Sequence, residues 1–141
     1  MKINKDLVIS DTNISLEQVE TNKNNIIDLQ PITLFSGDSN GNITLSSSAE
    51  NFTYLEIYYR DSASNYYGCE KVYSPNKKHV CLWSVYFVTA NLRFWFDVKD
   101  ATIDGTSIKS NSTGIGWLDG AGNTATGNEN RIYITKVIGY K

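Results

Sequence analysis

The stretch Leu92–Lys99 has the sequence LRFWFDVK and shows the cleanest alternation of side chains in the chain. Successive side chains of a β-strand point to opposite faces, so a period of two predicts a half-buried strand. We expect its aliphatic and phenylalanine side chains to face a core and the others to face solvent. The inward set is Leu92, Phe94, Phe96 and Val98, and the outward set is Arg93, Trp95, Asp97 and Lys99.

Short strands of this kind recur along residues 31–141, with turn residues at intervals of roughly ten residues. The same alternation is seen in Tyr54–Arg60, where Leu55, Ile57 and Tyr59 share one face. Because the chain has only one helix candidate, the pattern predicts an all-β fold. The expected architecture is an antiparallel β-sandwich, jelly-roll-like, preceded by a short helix or stalk.

Turn chemistry predicts how these strands connect. Asp104-Gly105 lies between two β-rich runs and predicts a tight hairpin turn. Ser110–Asn130 is rich in Gly, Asn, Ser and Thr and predicts a long loop, which is followed by a last strand over Arg131–Tyr140. The other predicted hairpins pair Ile32–Phe35 with Asn42–Leu45 and Glu70–Tyr73 with His79–Leu82.

Cys69 and Cys81 lie at equal distances from Pro75 in the last of these hairpins. We expect them on one face of paired strands, within reach of a disulfide bond. Because no export signal is visible, we favour a reducing compartment and two buried free thiols.

Residues 1–30 form an N-terminal leader that contains no aromatic residue. Ser15 and Gln18 fit a capping box, which predicts the start of a short helix. Leu16, Val19 and Ile26 then form a narrow apolar stripe. A helix this short needs a partner in water, so the stripe packs on its own domain or joins copies of the chain as an oligomer stalk. A frayed end is the third alternative.

The composition excludes several classes of protein. A length of 141 residues is that of one domain, and a net charge of −2 gives no basic surface for nucleic acid. No stretch approaches the roughly 18 apolar residues of a membrane span, and no secretory signal is visible. One His and two Cys are too few for the usual zinc sites, so we expect no metal and no cofactor.

We also expect no catalytic residues. His79 lies beside lysines and fits a solvated loop histidine better than a general base. No phosphate-binding loop, nucleophile elbow or metalloprotease helix is found, so an enzyme is disfavoured.

The aromatic residues outside the expected core are the candidates for binding. Trp95 is flanked on its face by Arg93 and Asp97, and Tyr54 and Tyr58 also point outward on their strand. Recurring exposed rings mark a ligand platform or a subunit interface, although such rings also plug the ends of sandwiches. Rings stack on the apolar side of sugars, and nearby polar groups bind the hydroxyls. The candidate ligand residues are Trp95, Arg93, Asp97, Tyr66, Tyr67, Trp117 and Asp119.

Several segments are similar to one known family. They are Ile43–Ser46, Tyr54–Asp61, Lys71–Asn76 and Asn130–Lys141, with weaker support from Lys2–Ile9. Together they resemble the C-terminal domain of tail-fibre and minor tail proteins from phages and prophages of Gram-positive bacteria. The likeness extends from about residue 31 to the end, and the order of the segments is more specific than any one of them.

The resemblance implies a trimeric β-sandwich head at the tip of a phage tail, which binds a saccharide of the host cell wall. It also implies a virion protein that is assembled in the host cytoplasm and has other tail proteins as partners. No binding residue is transferred, because the matching segments look like scaffold strands. The chain departs from the family at Trp83–Phe87 and in the Trp117 loop, where specificity is expected to differ.

Three functions follow from these observations. The first is a non-catalytic adhesion module that recognises a surface glycan as a homotrimer. The second is a structural tail or baseplate component whose outward rings are assembly contacts. The third, less favoured, is a polysaccharide depolymerase.

Overall fold

A computed structural model describes residues 15–28 and 30–141. The chain divides into two compact units, Met1–Gln30 and Pro31–Lys141. The elements are α1 Leu16–Asp28, β1 Ile32–Ser39, β2 Ile43–Thr44, β3 Tyr54–Asp61, β4 Tyr67–Tyr73, β5 Lys78–Val88, β6 Arg93–Asp104, β7 Ser107–Asp119, β8 Thr124–Gly127 and β9 Ile132–Tyr140.

Helix α1 begins at the predicted capping box. The Ser15 hydroxyl accepts a hydrogen bond from the Gln18 backbone N–H at 3.1 Å, and the Ser15 N–H donates to the Gln18 side chain at 3.1 Å. This reciprocal pair satisfies two N–H groups at the helix start, and it confirms the capping prediction. The side chains of Leu16, Val19 and Ile26 are all more than half exposed. Their role as a stalk stays a prediction.

The second unit consists of two antiparallel sheets. Sheet I has the strand order β1-β9-β3-β4, and sheet II has the order β2-β7-β6-β5 with β8 paired to β7. Fully buried apolar side chains from both sheets form one core, among them Ile57 and Val137 of sheet I and Leu82 and Ile103 of sheet II. The predicted antiparallel β-sandwich is therefore confirmed.

Strand β3 has the predicted faces. Leu55, Ile57 and Tyr59 are buried, while Glu56 and Tyr58 between them are half-buried on the outer face. This strand lies in the middle of sheet I between β9 and β4. Its apolar face therefore supplies much of the core, as the alternation predicts.

Two predicted hairpins are wrong, because the strands of each pair belong to different sheets. β1 pairs with β9 whereas β2 pairs with β7, and β4 pairs with β3 whereas β5 pairs with β6. The turn residues there form corners between the sheets, and Ser74 and Lys77 take positive φ angles of 47° and 59° at one of them. Turn-forming residues predict a reversal of the chain but not the sheet in which it continues.

The turn between β6 and β7 is a true hairpin, as predicted. Asp104 lies opposite Ser107, so Gly105 and Thr106 form a two-residue loop. Gly105 has a φ of 55°, which suits the first central position of a type II′ turn. The predicted long loop after this hairpin is wrong in large part, because β7 and β8 extend through most of it.

The predicted faces of the stretch Leu92–Lys99 are reversed. Asp97 and Lys99 are 1% and 0% exposed, whereas Phe94 and Phe96 are 48% and 40% exposed. The cause is the second half of β6, which continues past Lys99 and buries Ala101 and Ile103 in the core. Because side chains alternate strictly, this anchoring turns every odd-numbered residue of β6 inward.

The two cysteines lie on strands of different sheets, Cys69 on β4 and Cys81 on β5. Both are free, which confirms the free-thiol prediction, but both are exposed rather than buried. The predicted juxtaposition of the two thiols fails because it rested on the hairpin between β4 and β5.

Candidate functional site

Three of the rings on sheet II form a row on its inner face, which we call the aromatic cluster. Tyr86, Trp95 and Trp117 lie directly opposite one another on β5, β6 and β7. The ring centroids of Tyr86 and Trp95 are 6.3 Å apart with nearly parallel planes, and those of Trp95 and Trp117 are 6.4 Å apart and tilted. All three are half-buried. The rings therefore support one another and remain only partly open to solvent.

Two arginines lie against the aromatic cluster. The guanidinium carbon of Arg93 is 3.9 Å from the centroid of the Trp117 ring, and that of Arg131 is 5.5 Å from the centroid of Trp95. Arg131 also forms an ion pair with Glu129, with its Nη2 atom 2.6 Å from the carboxylate. These cation–π contacts occupy ring surface on which a sugar could stack.

Asp97 lies one row deeper, near Asp61 at the end of β3. Burial alone would raise the pKa of Asp61, but hydrogen bonds from the Ser84 hydroxyl at 2.5 Å and the Ala63 N–H at 2.8 Å hold it below its usual value. Among the described residues, no hydrogen bond reaches either carboxylate oxygen of Asp97, and Arg131 stays 4.0 Å away. Burial, and then the charge of Asp61, raise the pKa of Asp97 to about 7.

Lys99, the next inward residue of β6, is held by neutral groups. Its amine donates to the Asn40 carbonyl oxygen at 2.6 Å, the Asn130 side-chain oxygen at 3.0 Å and the Ser110 hydroxyl at 3.4 Å. Burial lowers the pKa of Lys99 to about 8. The amine thereby ties the turn after β1 and the segment before β9 to sheet II.

The predicted ligand residues are only partly brought together. Trp95, Arg93, Asp97, Trp117 and Asp119 occupy neighbouring positions on β6 and β7, but on the inner face instead of the predicted outer face. Asp119 is engaged in the turn between β7 and β8, where its carboxylate accepts hydrogen bonds from Ala121 and Asn123.

Tyr66 and Tyr67 lie apart from this group, at the start of β4 in sheet I. The Tyr66 ring is 6.5 Å from that of buried Tyr59. Tyr67 lies opposite Arg60 on the outer face and is 70% exposed.

The outer face of sheet I carries most of the tyrosines of the chain. Tyr54 and Arg60 share the outer face of β3. Tyr54 lies opposite both Tyr73 and Tyr140, and Arg60 lies opposite both Tyr67 and Tyr133, so these tyrosines lie on the same face. We call this surface the tyrosine face; its rings are Tyr54, Tyr58, Tyr67, Tyr73, Tyr133 and Tyr140.

Polar contacts hold these rings in place. Tyr54 and Tyr140 stack with centroids 4.4 Å apart, and the amine of Lys71 lies 3.8 Å from the centroid of Tyr54. The Glu56 carboxylate accepts hydrogen bonds from the hydroxyls of Tyr140 at 2.8 Å and Tyr58 at 2.9 Å. These bonds lower the pKa of Glu56, and the bond to Glu56 is the main reason why the pKa of Tyr58 rises to about 12.

A second pair of charges braces the other end of the tyrosine face. Arg60 binds Asp38 through two hydrogen bonds of 2.9 and 2.5 Å, and its guanidinium carbon lies 4.4 Å from the centroid of Tyr133. A two-pronged pair of this kind fixes the direction of the arginine. The tyrosine face thus contains rings that are held by their neighbours, such as Tyr54, Tyr133 and Tyr140, with polar groups between them.

The outer face of sheet II is different, and we call it the apolar face. In register across β5, β6 and β7, Phe87 lies opposite Phe94 and Phe94 opposite Leu118. The next rows contain glycine on β7, since Phe96 lies opposite Gly116 and Val98 opposite Gly114. Its exposed side chains are Trp83, Val85, Phe87, Phe94, Phe96, Val98 and Leu118.

The sequence contains signals for both surfaces that the analysis of single strands missed. The tyrosines of the tyrosine face are paired at even spacing on β3 and β4, as Tyr54 and Tyr58 and as Tyr67 and Tyr73. On β9 the spacing of Tyr133 and Tyr140 is odd, and an irregularity in the pairing with β3 brings both to the same face. For the apolar face the signal is Ala101 and Ile103, which share the parity of Asp97 and continue the same strand. Reading β6 to its end would have assigned its faces correctly.

No match to a known protein family is found for this chain, and no curated protein matches it. Within residues 15–28 and 30–141, no group of three or more metal-ligating side chains comes together. The helix in this part of the chain is too short and too polar to span a membrane.

Proposed function

We propose that this chain is an adhesion module from the tip of a phage or prophage tail and that it recognises a bacterial cell-surface glycan without catalysis. The observation that carries the proposal is the tyrosine face, an array of partly exposed rings on a rigid sheet with charged groups between them. The resemblance of the strand segments to tail-fibre and minor tail proteins supplies the biological setting.

The chemistry of the tyrosine face suits a saccharide. The two most exposed rings, Tyr67 and Tyr73, are 70% and 61% exposed and offer flat surfaces to the apolar side of a sugar ring. The carboxylate of Glu56 and the amine of Lys71 can bind sugar hydroxyls. Because the neighbouring rings are already stacked and hydrogen-bonded, little side-chain freedom is lost on binding.

A site that binds a glycan weakly can still attach a phage firmly when several linked copies bind at once. We propose a homotrimer in which the stripe of Leu16, Val19 and Ile26 forms a stalk. Linked copies raise the apparent affinity by about 10²–10⁴ without any new contact. Other tail proteins would be the partners of the assembled tip.

The test measures the binding of variants at Tyr73 and Trp95 to purified host cell walls and to a glycan array. We expect Tyr73→Ala to weaken binding about tenfold or more, since one buried ring at an interface contributes 1–2 kcal/mol or more. Tyr73→Phe keeps the ring and is expected to retain most of the binding. Trp95→Ala is the matched control on the aromatic cluster, and loss of binding there with full binding by Tyr73→Ala would contradict the proposal.

A second candidate function is a structural tail or baseplate component. The apolar face favours it, because a large uncharged surface suits permanent assembly contacts. The two candidates differ in one measurement: a structural component binds neither wall nor glycan at any valency. Shortening of wall polysaccharide during the same incubation would instead indicate a depolymerase.

A further inference from the structure

We propose that the apolar face of sheet II is an interface between copies of this chain. The inference goes beyond glycan recognition and does not rest on it, since it concerns the opposite side of the sandwich. It starts from the inverted strand β6. This strand buries Asp97 and Lys99 and exposes Phe94, Phe96 and Val98. Such a pattern is unfavourable in a lone domain, because it desolvates charges and leaves aromatic rings in water.

The apolar face supplies more than half of the area of one side of a standard interface. Its seven large side chains are each between 36% and 51% exposed. This amounts to on the order of 500 Å² of apolar surface, which is near the top of what a monomer shows. A standard interface takes about 800 Å² from each partner, so the patch and its rim suffice for one.

The position of β5 gives a second reason to expect a binding partner on the apolar face. Among the described residues β5 forms one edge of sheet II, and it is 11 residues long. It carries Trp83, Val85 and Phe87 on the apolar face. Long hydrophobic edge strands promote aggregation unless something covers them. A permanent partner removes that hazard.

The composition of the face indicates a copy of the same chain as that partner. The seven side chains of the face are all uncharged, because Arg93, Asp97 and Lys99 lie on the other side of β6. Asp100 is on the same side but lies beyond Val98 at one end, so a charged partner would be matched only there. Gly114 and Gly116 have no side chains, so the surface of β7 beside Val98 and Phe96 is flat. Uncharged apolar patches of this kind are typical of homo-oligomers, whose partner is present as soon as the chain is made.

The experiment measures the mass of the full chain by light scattering after gel filtration over a range of concentrations. We expect a multiple of the 15.8 kDa chain mass. Phe96→Lys places a charge in the centre of the apolar face and is expected to lower the mass of the assembly, and to give the monomer when it is combined with Val19→Lys. Tyr73→Lys, on the tyrosine face, is the matched control and is expected to keep the wild-type mass. Val19→Lys reports separately on the helix stripe.

A milder variant decides the matter if Phe96→Lys fails to fold. The double substitution Val85→Thr and Val98→Thr keeps β-branched side chains and is expected to raise the dissociation constant about tenfold or more. A monomeric wild type at every concentration would overturn the proposal, because the occupant would then not be a copy. So would an unchanged mass in a folded Phe96→Lys or in the double variant, including the case in which only Val19→Lys dissociates the assembly.

Discussion

The two sheets of the head domain distribute their side chains in opposite ways. Sheet I buries aliphatic residues such as Ile57 and exposes tyrosines with polar groups between them. Sheet II buries Asp97 and Lys99 at one end and exposes phenylalanine, valine and tryptophan. Alternation therefore identifies a strand but does not say which of its faces is the interior. A face of tyrosines suits contact with a hydrated ligand, whereas a face of phenylalanines suits permanent cover.

The largest effect is expected inside sheet I. Ile57→Ala removes a fully buried side chain of the common core and should lower the free energy of unfolding by about 2–5 kcal/mol. Tyr73→Ala, on the outer face of the paired strand, should change it by about 1 kcal/mol or less, since its ring is largely exposed. Urea denaturation of both variants makes the measurement. Equal losses would show that the two faces of sheet I are not inside and outside.

A gain in stability is expected inside sheet II. At pH 8 the Asp97 carboxylate is ionised, buried and without a hydrogen-bond partner among the described residues, so Asp97→Asn should raise the free energy of unfolding by about 2 kcal/mol. At pH 4 the carboxyl is neutral and the two proteins should be equally stable. Asp100→Asn, on the outer face of the same strand, is the control and should change stability little at either pH. No gain at pH 8 would place Asp97 in solvent.

The second buried charge, the amine of Lys99, should make the free energy of unfolding depend on pH in the alkaline range. The pKa of Lys99 is about 8 in the folded protein and near 10.5 when unfolded, so between these values the unfolded chain binds more protons. Below pH 8 the buried charged amine therefore destabilises the folded protein to the full extent. This penalty decreases as the pH rises towards 10.5, so the free energy of unfolding increases with pH in this window. Between pH 8 and pH 10 the free energy of unfolding of the wild type should rise by about 1 kcal/mol relative to that of Lys99→Met. A difference that does not vary with pH would show that the amine stays charged in the folded protein.

Much of the fold could be predicted from local patterns. The capping box of Ser15 and Gln18, the faces of β3 and the Gly105 turn depend on residues close in sequence, and the structure confirms all three. The corners at Asn40–Asn42 and Ser74–Lys77 could not be predicted, because the turn residues of a corner and of a hairpin are the same. What decides between them is strand pairing: β1 pairs with β9 and β2 with β7 around the first corner, and β4 pairs with β3 and β5 with β6 around the second.

The candidate site was harder to predict for a related reason. Arg93, Trp95 and Asp97 were expected to share one face of a strand, and they do. Trp117 was expected in a long loop, so its position opposite Trp95 on β7 was not predicted. The direction of the β6 side chains was wrong because the charged residues were assumed to prefer water. The rest of β6 overrides that preference: Ala101 and Ile103 hold the register, and the whole strand must follow. The tyrosine face combines the neighbouring strands β3 and β4 with β9, which is distant in sequence, so the outward direction of Tyr54 and Tyr58 could be predicted but the assembled face could not.

The smallest effect sharpens the picture of the tyrosine face. Glu56→Gln removes the charge that accepts hydrogen bonds from Tyr58 and Tyr140, so the pKa of Tyr58 should fall from about 12 towards its usual value of 10. Titration of the tyrosine ring signals by NMR measures this, and Glu50→Gln, whose carboxylate contacts Asn76 instead, is the control. Because Glu56 and its partners lie on the outer face of sheet I, where solvent screens their charges, little change in stability is expected. An unchanged Tyr58 pKa would mean that the rings are not held by Glu56 in solution, and the low entropy loss on which glycan binding by this face depends would no longer be supported.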